Sequence, residues 1–259
     1  MPLIATAVQD DIGFITLDNP QQRNALTAQL VRELIAALAQ FKTTGMRVVI
    51  LRAQPGTAVW SAGHSVDELP LDRSDPLGWD DPLCQLVREI EAFAAPVIAM
   101  IEGTVWGGAC EVAFACDLIV ASPATTFAVT PAKLGVPYNV AGMVTFLNAA
   151  NLRIVREMAY TAQPVDAARA ERLGMVNHVV PVGELEAFTL DLARRIVANA
   201  PLSIAVMKEQ LRILAGARPM SPQGFARVEG LRRVVYDSDD YQEGIRAFKE
   251  KRKPVFKGQ

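Results

Sequence analysis

Glu102-Gly-Thr-Val-Trp-Gly-Gly-Ala-Cys-Glu-Val-Ala-Phe-Ala-Cys-Asp117 follows directly on the apolar run Pro96-Val-Ile-Ala-Met-Ile101. Val97 to Ile101, bounded by Pro96 and Gly103, reads as a buried strand, and Gly107 and Gly108 open a run of helix-forming residues that closes at Asp117. The reading is strand, glycine turn, buried helix. Two adjacent glycines at a helix start remove side chains where free backbone N–H groups point outward, so a negatively charged oxygen can approach closely. The same pair also suits a tightly packed turn with no chemistry.

A matching feature lies upstream, in Trp60-Ser-Ala-Gly-His-Ser-Val-Asp-Glu-Leu69, beyond the strand-like Arg47-Val-Val-Ile-Leu-Arg52. Ser61, Ala62 and Gly63 again leave the backbone open, and the N–H of His64 could supply a second donor to the oxygen met by Gly108. Two such donors make an oxyanion hole.

Composition narrows the field. The 259 residues are 51% hydrophobic and 21% charged, enough to bury one α/β core with an appendage. With 26 basic and 28 acidic residues the formal charge is −2, so no positive excess exists to neutralise a phosphate backbone, and nucleic acid is not an expected partner. Cys84, Cys110 and Cys116 show neither a Cys-x-x-Cys pair nor histidines at ligand spacing, which predicts reduced core thiols and no metal. No apolar run reaches membrane-spanning length and the start lacks a basic leader, so the expectation is a cytoplasmic protein with no membrane partner.

In chain order, Ile4–Val8 and Ile12–Leu17 predict a hairpin, and Asp18 to Asn24 a loop. Thr27 reads as the cap of a helix carrying Leu30, Leu34, Leu38 and Phe41 on one face. Pro70 to Pro76 is a turn-rich segment that could form a mobile flap. Pro82 starts a helix with Leu86, Ile90 and Phe93 on one side. Asp117–Ala121 and Thr126–Val129 predict strands, 140–149, 152–160 and 165–173 helices, and Asn177–Val180 a last short strand. The segments 184–199, 201–216, 221–235 and 239–251 then read as helices only. Strand pairs alternating with helices imply an α/β core in stacked turns, closed by a helical appendage with a soft boundary near residue 200.

Four stretches together resemble the crotonase (enoyl-CoA hydratase/isomerase) superfamily over essentially the full length: Gln22-Arg-Asn-Ala-Leu26, Ser61 to Leu69, Glu102 to Glu111 with Cys116-Asp117, and Glu243-Gly-Ile-Arg-Ala-Phe-Lys-Glu-Lys-Arg-Lys-Pro254. The resemblance implies a spiral of ββα repeats over 1–200 and a helical trimerisation region over 201–259. It also implies homotrimers or homohexamers and an acyl-CoA substrate whose thioester oxygen binds the N–H groups of His64 and Gly108. It assigns Arg23, Ala25 and Ala62 to the acyl-CoA site together with Gly107, Thr130 and Pro131. Phe248 and Lys251 of the last helix are assigned to the nucleotide or to a neighbouring subunit.

Within the superfamily, Ser61 to His64, Val105 to Ala109, Thr130 to Asn139 and Val235 to Gly244 resemble the decarboxylating branch that acts on methylmalonyl-CoA. Hydratases of the family carry two glutamates; the first survives as Glu111, while the second falls on Pro131, which cannot ionise. Ser65 stands where the family commonly has aspartate. Hydration needs paired acid/base groups, whereas loss of CO2 from a malonyl-type thioester needs above all stabilisation of the enolate oxygen, with no biotin or metal. The resemblance places Tyr138 beside the reacting carbon, orienting the substrate carboxylate.

Each residue has a plainer reading. His64 could act through its imidazole or only through its N–H; Glu111 could deliver a proton or be structural; Tyr138 could be core packing; Arg23 could be a solvated loop charge and Lys251 to Lys253 a solvated end. His178 is expected to carry no chemistry. A hydratase or isomerase working through Glu111, and a non-catalytic RNA-binding or scaffolding homologue, are the rival functions.

Overall fold

The antiparallel hairpin of β1 (Ile4–Gln9) and β2 (Ile12–Leu17) begins a sheet that is otherwise parallel, and every residue of β2 is buried. The thorough burial has a cause in the layers. One face packs on α1 (Ala28–Thr43) and the helices that follow it, while Ile12, Phe14, Val48, Ile50, Ile98 and Val120 on the other meet Leu185 and Ala193 of a later helix. A parallel strand covered on both sides reads as a continuous apolar run rather than an alternation, as Val97 to Ile101 does. The computed structural model describes residues 2–259.

Three turns of one unit follow α1. Each sends a strand to the large sheet, a short strand to a second sheet, and a helix back across: β3 (Val48–Ala53), β4 (Val59–Ser61) and α2 (Pro82–Ala92); β5 (Val97–Ile101), β6 (Thr104–Trp106) and α3 (Gly108–Ala115); β7 (Leu118–Ala121), β8 (Thr126–Ala128) and α4 (Val140–Ala149). The chain continues through α5 (Leu152–Thr161), β9 (Val165–Asp166), α6 (Ala167–Arg172) and β10 (His178–Val179). It ends in α7 (Val182–Val197), α8 (Pro201–Gly216), α9 (Pro222–Tyr236) and α10 (Asp239–Lys249). The large sheet has the order β1-β2-β3-β5-β7-β10 and the small one β4-β6-β8-β9. This is a ββα spiral closed by helices.

The second sheet is where the sequence reading falls short. β4 and β6 are three residues each and sit inside stretches read as loop or glycine turn, too short to show a period. Tertiary packing makes them strands: Trp60 of β4 is 1% exposed and its indole N–H donates to the Met100 carbonyl at 3.1 Å, tying the small sheet to β5. The helix expected over 165–173 begins two residues late because Val165 and Asp166 pair antiparallel with Phe127 and Thr126, after which the Asp166 side chain caps α6. The last helix stops at Lys249, and Lys251 has a left-handed backbone with φ of 54°.

The predicted flap is tied down. The Tyr241 hydroxyl donates to the Pro70 carbonyl at 2.9 Å, Gln242 Nε2 to the Leu71 carbonyl at 3.3 Å, and the buried Arg232 guanidinium grips both carboxylate oxygens of Asp75. Helix α8 contrasts with α10: it buries none of its own residues and leaves Leu202, Leu211 and Leu214 exposed, whereas Tyr241, Gly244, Ile245 and Ala247 of α10 are buried. Lys208 nonetheless pins α8 to the core, its ammonium donating to the Ile90 and Ala95 carbonyls and to Asp117. No helix among the described residues is long and apolar enough to cross a membrane.

Candidate active site

The two loops that converge on the start of α3 are stitched by main-chain and short side-chain bonds. Ala62 N–H donates to Arg23 O at 2.9 Å, Leu26 N–H to Gly63 O at 2.8 Å, and the Ser61 hydroxyl to Asn24 O at 2.7 Å. Arg23 and Asn24 reach this register through left-handed conformations, with φ of 52° and 50°. Position 63 admits only glycine. Its φ is 84°, and a β-carbon there would lie 2.3 Å from the Trp106 carbonyl oxygen and 2.9 Å from the Gly108 nitrogen.

That contact brings the two predicted donors together. A β-carbon on Gly108 would in turn sit 3.4 Å from the His64 nitrogen, so the amides of residues 64 and 108 face one small space. Gly107 spends its own N–H on the Ala128 carbonyl at 2.8 Å and turns with φ of 54° into α3, leaving the Gly108 N–H at the helix start. Neither the His64 N–H nor the Gly108 N–H meets a hydrogen-bond acceptor among the described residues. Their free donors, reinforced by the positive end of α3, can hold an oxyanion.

The amides open into a cavity of about 820 Å³. Arg23, Ala25, Ala62, His64, Gly107 and Gly108 line it from one side, and Thr130, Pro131, Tyr138 and Phe248 from the other. Lys251 does not line it: the chain has left α10 by then and the side chain is exposed. Lys133, on the one-turn helix Pro131–Leu134, lines the cavity and escaped the sequence reading, although its place beside the Pro131 motif was a usable signal.

Glu111 stands one turn along α3 from Gly108, 2% exposed, and it does not line the cavity. Tyr138 stands before it, its hydroxyl donating to Glu111 Oε2 at 2.8 Å and its ring edge-on to Phe146. Burial pushes the Glu111 carboxyl up to about 7, the Tyr138 hydrogen bond opposing it. Burial and the neighbouring Glu111 charge raise the Tyr138 phenol well above its ordinary range. Gly142 of α4 makes room for the pair: a β-carbon there would lie 2.4 Å from the Tyr138 ring and 2.9 Å from Glu111 Oε1. Nothing in the sequence marked that glycine.

Two carboxylates do line the cavity, Asp67 and Glu68. Glu68 accepts the Ala28 N–H at 2.7 Å at the start of α1, and Asp67 pairs with Lys249 at 3.7 Å. The His64 ring is fixed at both nitrogens, Nδ1 lying 3.0 Å from the Ser65 carbonyl oxygen and Nε2 3.1 Å from Asp81 Oδ2, while Asp81 Oδ1 caps α2 by accepting the Leu83 N–H at 2.9 Å. Cys84 lies beneath, its thiol pushed up to about 12 by burial, so it is no nucleophile. His178 packs against Phe188 away from this site, and no group of three His, Cys, Asp or Glu side chains among the described residues is gathered to hold a metal ion.

Comparison with known proteins gives the geometry its context. The family model described as enoyl-CoA hydratase/isomerase matches residues 7–259. A methylmalonyl-CoA decarboxylase of Escherichia coli K12 is 48% identical over 95% of this chain and 95% of its own length. A putative enoyl-CoA hydratase/isomerase of Bacillus subtilis, YngF, is 28% identical over 99% of this chain and 98% of its own. Among solved structures, methylmalonyl-CoA decarboxylase in complex with 2-nitronate-propionyl-CoA superposes with a TM-score of 0.98 at 46% identity, covering 99% of both chains. With two free amides facing one space, the ββα spiral and the family match over nearly the whole length, this chain belongs to the enoyl-CoA hydratase/isomerase family.

Proposed function

We propose that the protein is an acyl-CoA carboxy-lyase that converts methylmalonyl-CoA to propionyl-CoA through a thioester enolate held by the His64 and Gly108 amides. The observation that carries this reading is the carboxyl inventory of the site. Of the two acid/base carboxyls a hydratase needs, one position is Pro131 and the other, Glu111, is screened from the cavity by Tyr138. A site built so has an oxyanion hole without the paired groups that activate water. The 48% identity to a methylmalonyl-CoA decarboxylase supports the same substrate.

The thioester oxygen accepts both amides, and the substrate carboxylate meets Tyr138, which turns the breaking C–C bond toward the carbonyl π system. As that bond breaks, its electron pair enters the thioester and the negative charge collects on the oxygen in the hole. CO2 leaves neutral. The Tyr138 hydroxyl has one hydrogen, so it cannot serve the Glu111 carboxylate and the substrate carboxylate together. With Glu111 protonated the bond reverses: the acid donates to the phenol oxygen and frees the phenol hydrogen for the substrate. After CO2 departs, Tyr138 passes its proton to the enolate carbon while taking the one on Glu111. The product leaves Glu111 ionised, to be reprotonated from solvent.

In this reading Arg23 and Lys133 meet the CoA phosphates and Phe248 the nucleotide end, which their position on the cavity wall supports. Neither biotin nor a metal has a part in this chemistry, since the two amides and the Tyr138–Glu111 pair supply the charge stabilisation and the proton. The bare apolar residues of α8, with Phe225, Leu231 and Val234 of α9, support assembly of the 201–259 region into a homotrimer or a pair of trimers, and the reduced, buried cysteines support a cytoplasmic setting. The test is incubation with methylmalonyl-CoA in D2O: propionyl-CoA carrying one deuterium at C2 is expected, and recovery of unchanged substrate overturns the reading.

A further inference from the structure

Both ring nitrogens of His64 face acceptors. The Ser65 carbonyl oxygen, 3.0 Å from Nδ1, can only accept, so Nδ1 carries a hydrogen. Nε2 lies 3.1 Å from Asp81 Oδ2. Asp81 sits at the start of α2, where Oδ1 accepts the Leu83 N–H at 2.9 Å and the Cys84 N–H at 3.4 Å. A neutral imidazole has one donor and one lone pair, and that lone pair would point at the Asp81 carboxylate. The arrangement is satisfied when both nitrogens donate, which makes the ring a cation.

We infer that Asp81 is a positioning residue that keeps His64 as an imidazolium, and that this cation, carried by the residue whose amide forms half of the oxyanion hole, stabilises the enolate charge. The inference rests on the decarboxylase reading for its catalytic half only; the charge state of the ring stands or falls on its own. The side chains of His64 and Asp81 are only 15% and 13% exposed, so the charge is weakly screened by water. Burial opposes the charged ring, but the hydrogen bond and charge of Asp81, with the Ser65 carbonyl and the Glu68 charge, together raise the His64 pKa.

The charged and titratable groups around the ring agree in sign or are accounted for. Asp81 faces it from α2 and Glu68 from the turn Val66–Glu68, both negative, and Glu111 lies beyond on α3. The basic residues Arg23 and Lys133 line the same cavity. Glu111 titrates near 7 and would bend a pH–rate profile by itself, so the ring must be watched directly.

The chain has only two histidines, His64 and His178, so imidazole nitrogen NMR of the whole protein without substrate separates them, with His178→Gln giving the assignment. The expected result is that His64 carries hydrogens on both nitrogens at neutral pH. Asp81→Asn keeps a capping residue on α2 but removes the charge, so the His64 midpoint should fall by at least about one unit. Turnover of methylmalonyl-CoA by Asp81→Asn should be about tenfold low at neutral pH and recover on acidification along the variant's own imidazole titration. A singly protonated His64 ring in the wild type at neutral pH overturns the charge assignment whatever the reaction proves to be. A deficit in Asp81→Asn that stays constant from acid to neutral pH overturns the catalytic half and leaves Asp81 a cap only.

Discussion

The Tyr138 hydroxyl donates to Glu111 Oε2 at 2.8 Å, and this one bond sets the order of groups from cavity to core: phenol first, carboxyl behind it. A buried carboxyl raised to about 7 and masked by a phenol is poorly arranged to deprotonate a water and well arranged to return a proton to a carbanion.

Tyr138→Phe removes the hydroxyl while keeping the ring that packs on Phe146. Decarboxylation should fall by about 10²-fold, with the far-UV spectrum and melting transition little changed. An unaltered rate would assign the residue to packing alone.

Glu111→Gln should remove a pH dependence from both activity and stability. The folded pKa of Glu111 is raised from 4.5 to about 7, so the carboxyl costs the fold nothing below the lower value, and the full cost of about 3 kcal/mol is present only above the upper one. Urea unfolding should show the variant gaining on the wild type between about pH 5 and pH 8. The loss of wild-type kcat/KM centred near 7, where Glu111 ionises and recaptures the Tyr138 hydrogen, should be absent from the variant.

At residue 108 two substitutions separate the amide from the space around it. Gly108→Ala and Gly108→Pro both bring a β-carbon within 2.6 Å of the Leu83 side-chain end, which can move. Only proline removes the N–H, at a first helical position that tolerates it. Turnover should drop at least about 10²-fold further in the proline variant than in the alanine variant. Equal rates in the two would remove the Gly108 amide from the mechanism.

Lys208→Met tests how α8 is held. Its ammonium satisfies the Ile90 and Ala95 carbonyls and pairs with Asp117 at 2.7 Å, with only 10% of the side chain exposed. Losing it leaves those acceptors unpaired in a poorly hydrated seam, and denaturant unfolding should report a loss of about 2–3 kcal/mol.

The sequence was most legible where local pattern and tertiary structure agree. Val97 to Ile101 is apolar because its sheet is covered on both faces, and Thr27 caps α1 by accepting the Leu30 N–H at 3.2 Å, as its position foretold. The glycine pair at 107 and 108 and the small residues before His64 pointed to the two amides because an open backbone leaves a compositional trace. What the sequence hid was set by distant partners. β4 and β6 are strands only because the small sheet assembles around them, and the flap is tied through Tyr241, Gln242 and Arg232, more than 150 residues further along. Asp81 drew no reading beside the helix begun by Pro82; it caps that helix through one oxygen, and its second oxygen, turned to His64, has no signature in one dimension. The last helix, read as running to residue 251, ends at Lys249.

The central claim is that an oxyanion hole with its remaining acid/base carboxyl behind Tyr138 removes CO2 rather than adds water. The purified protein is incubated separately with methylmalonyl-CoA and crotonyl-CoA and the thioester products are weighed by mass spectrometry. Loss of CO2 from the first, with the second unchanged, is the predicted result, with Pro131 accounting for the missing hydratase. Water added to crotonyl-CoA, with methylmalonyl-CoA untouched, would show that Glu111 suffices to activate water from behind Tyr138 and would contradict the account.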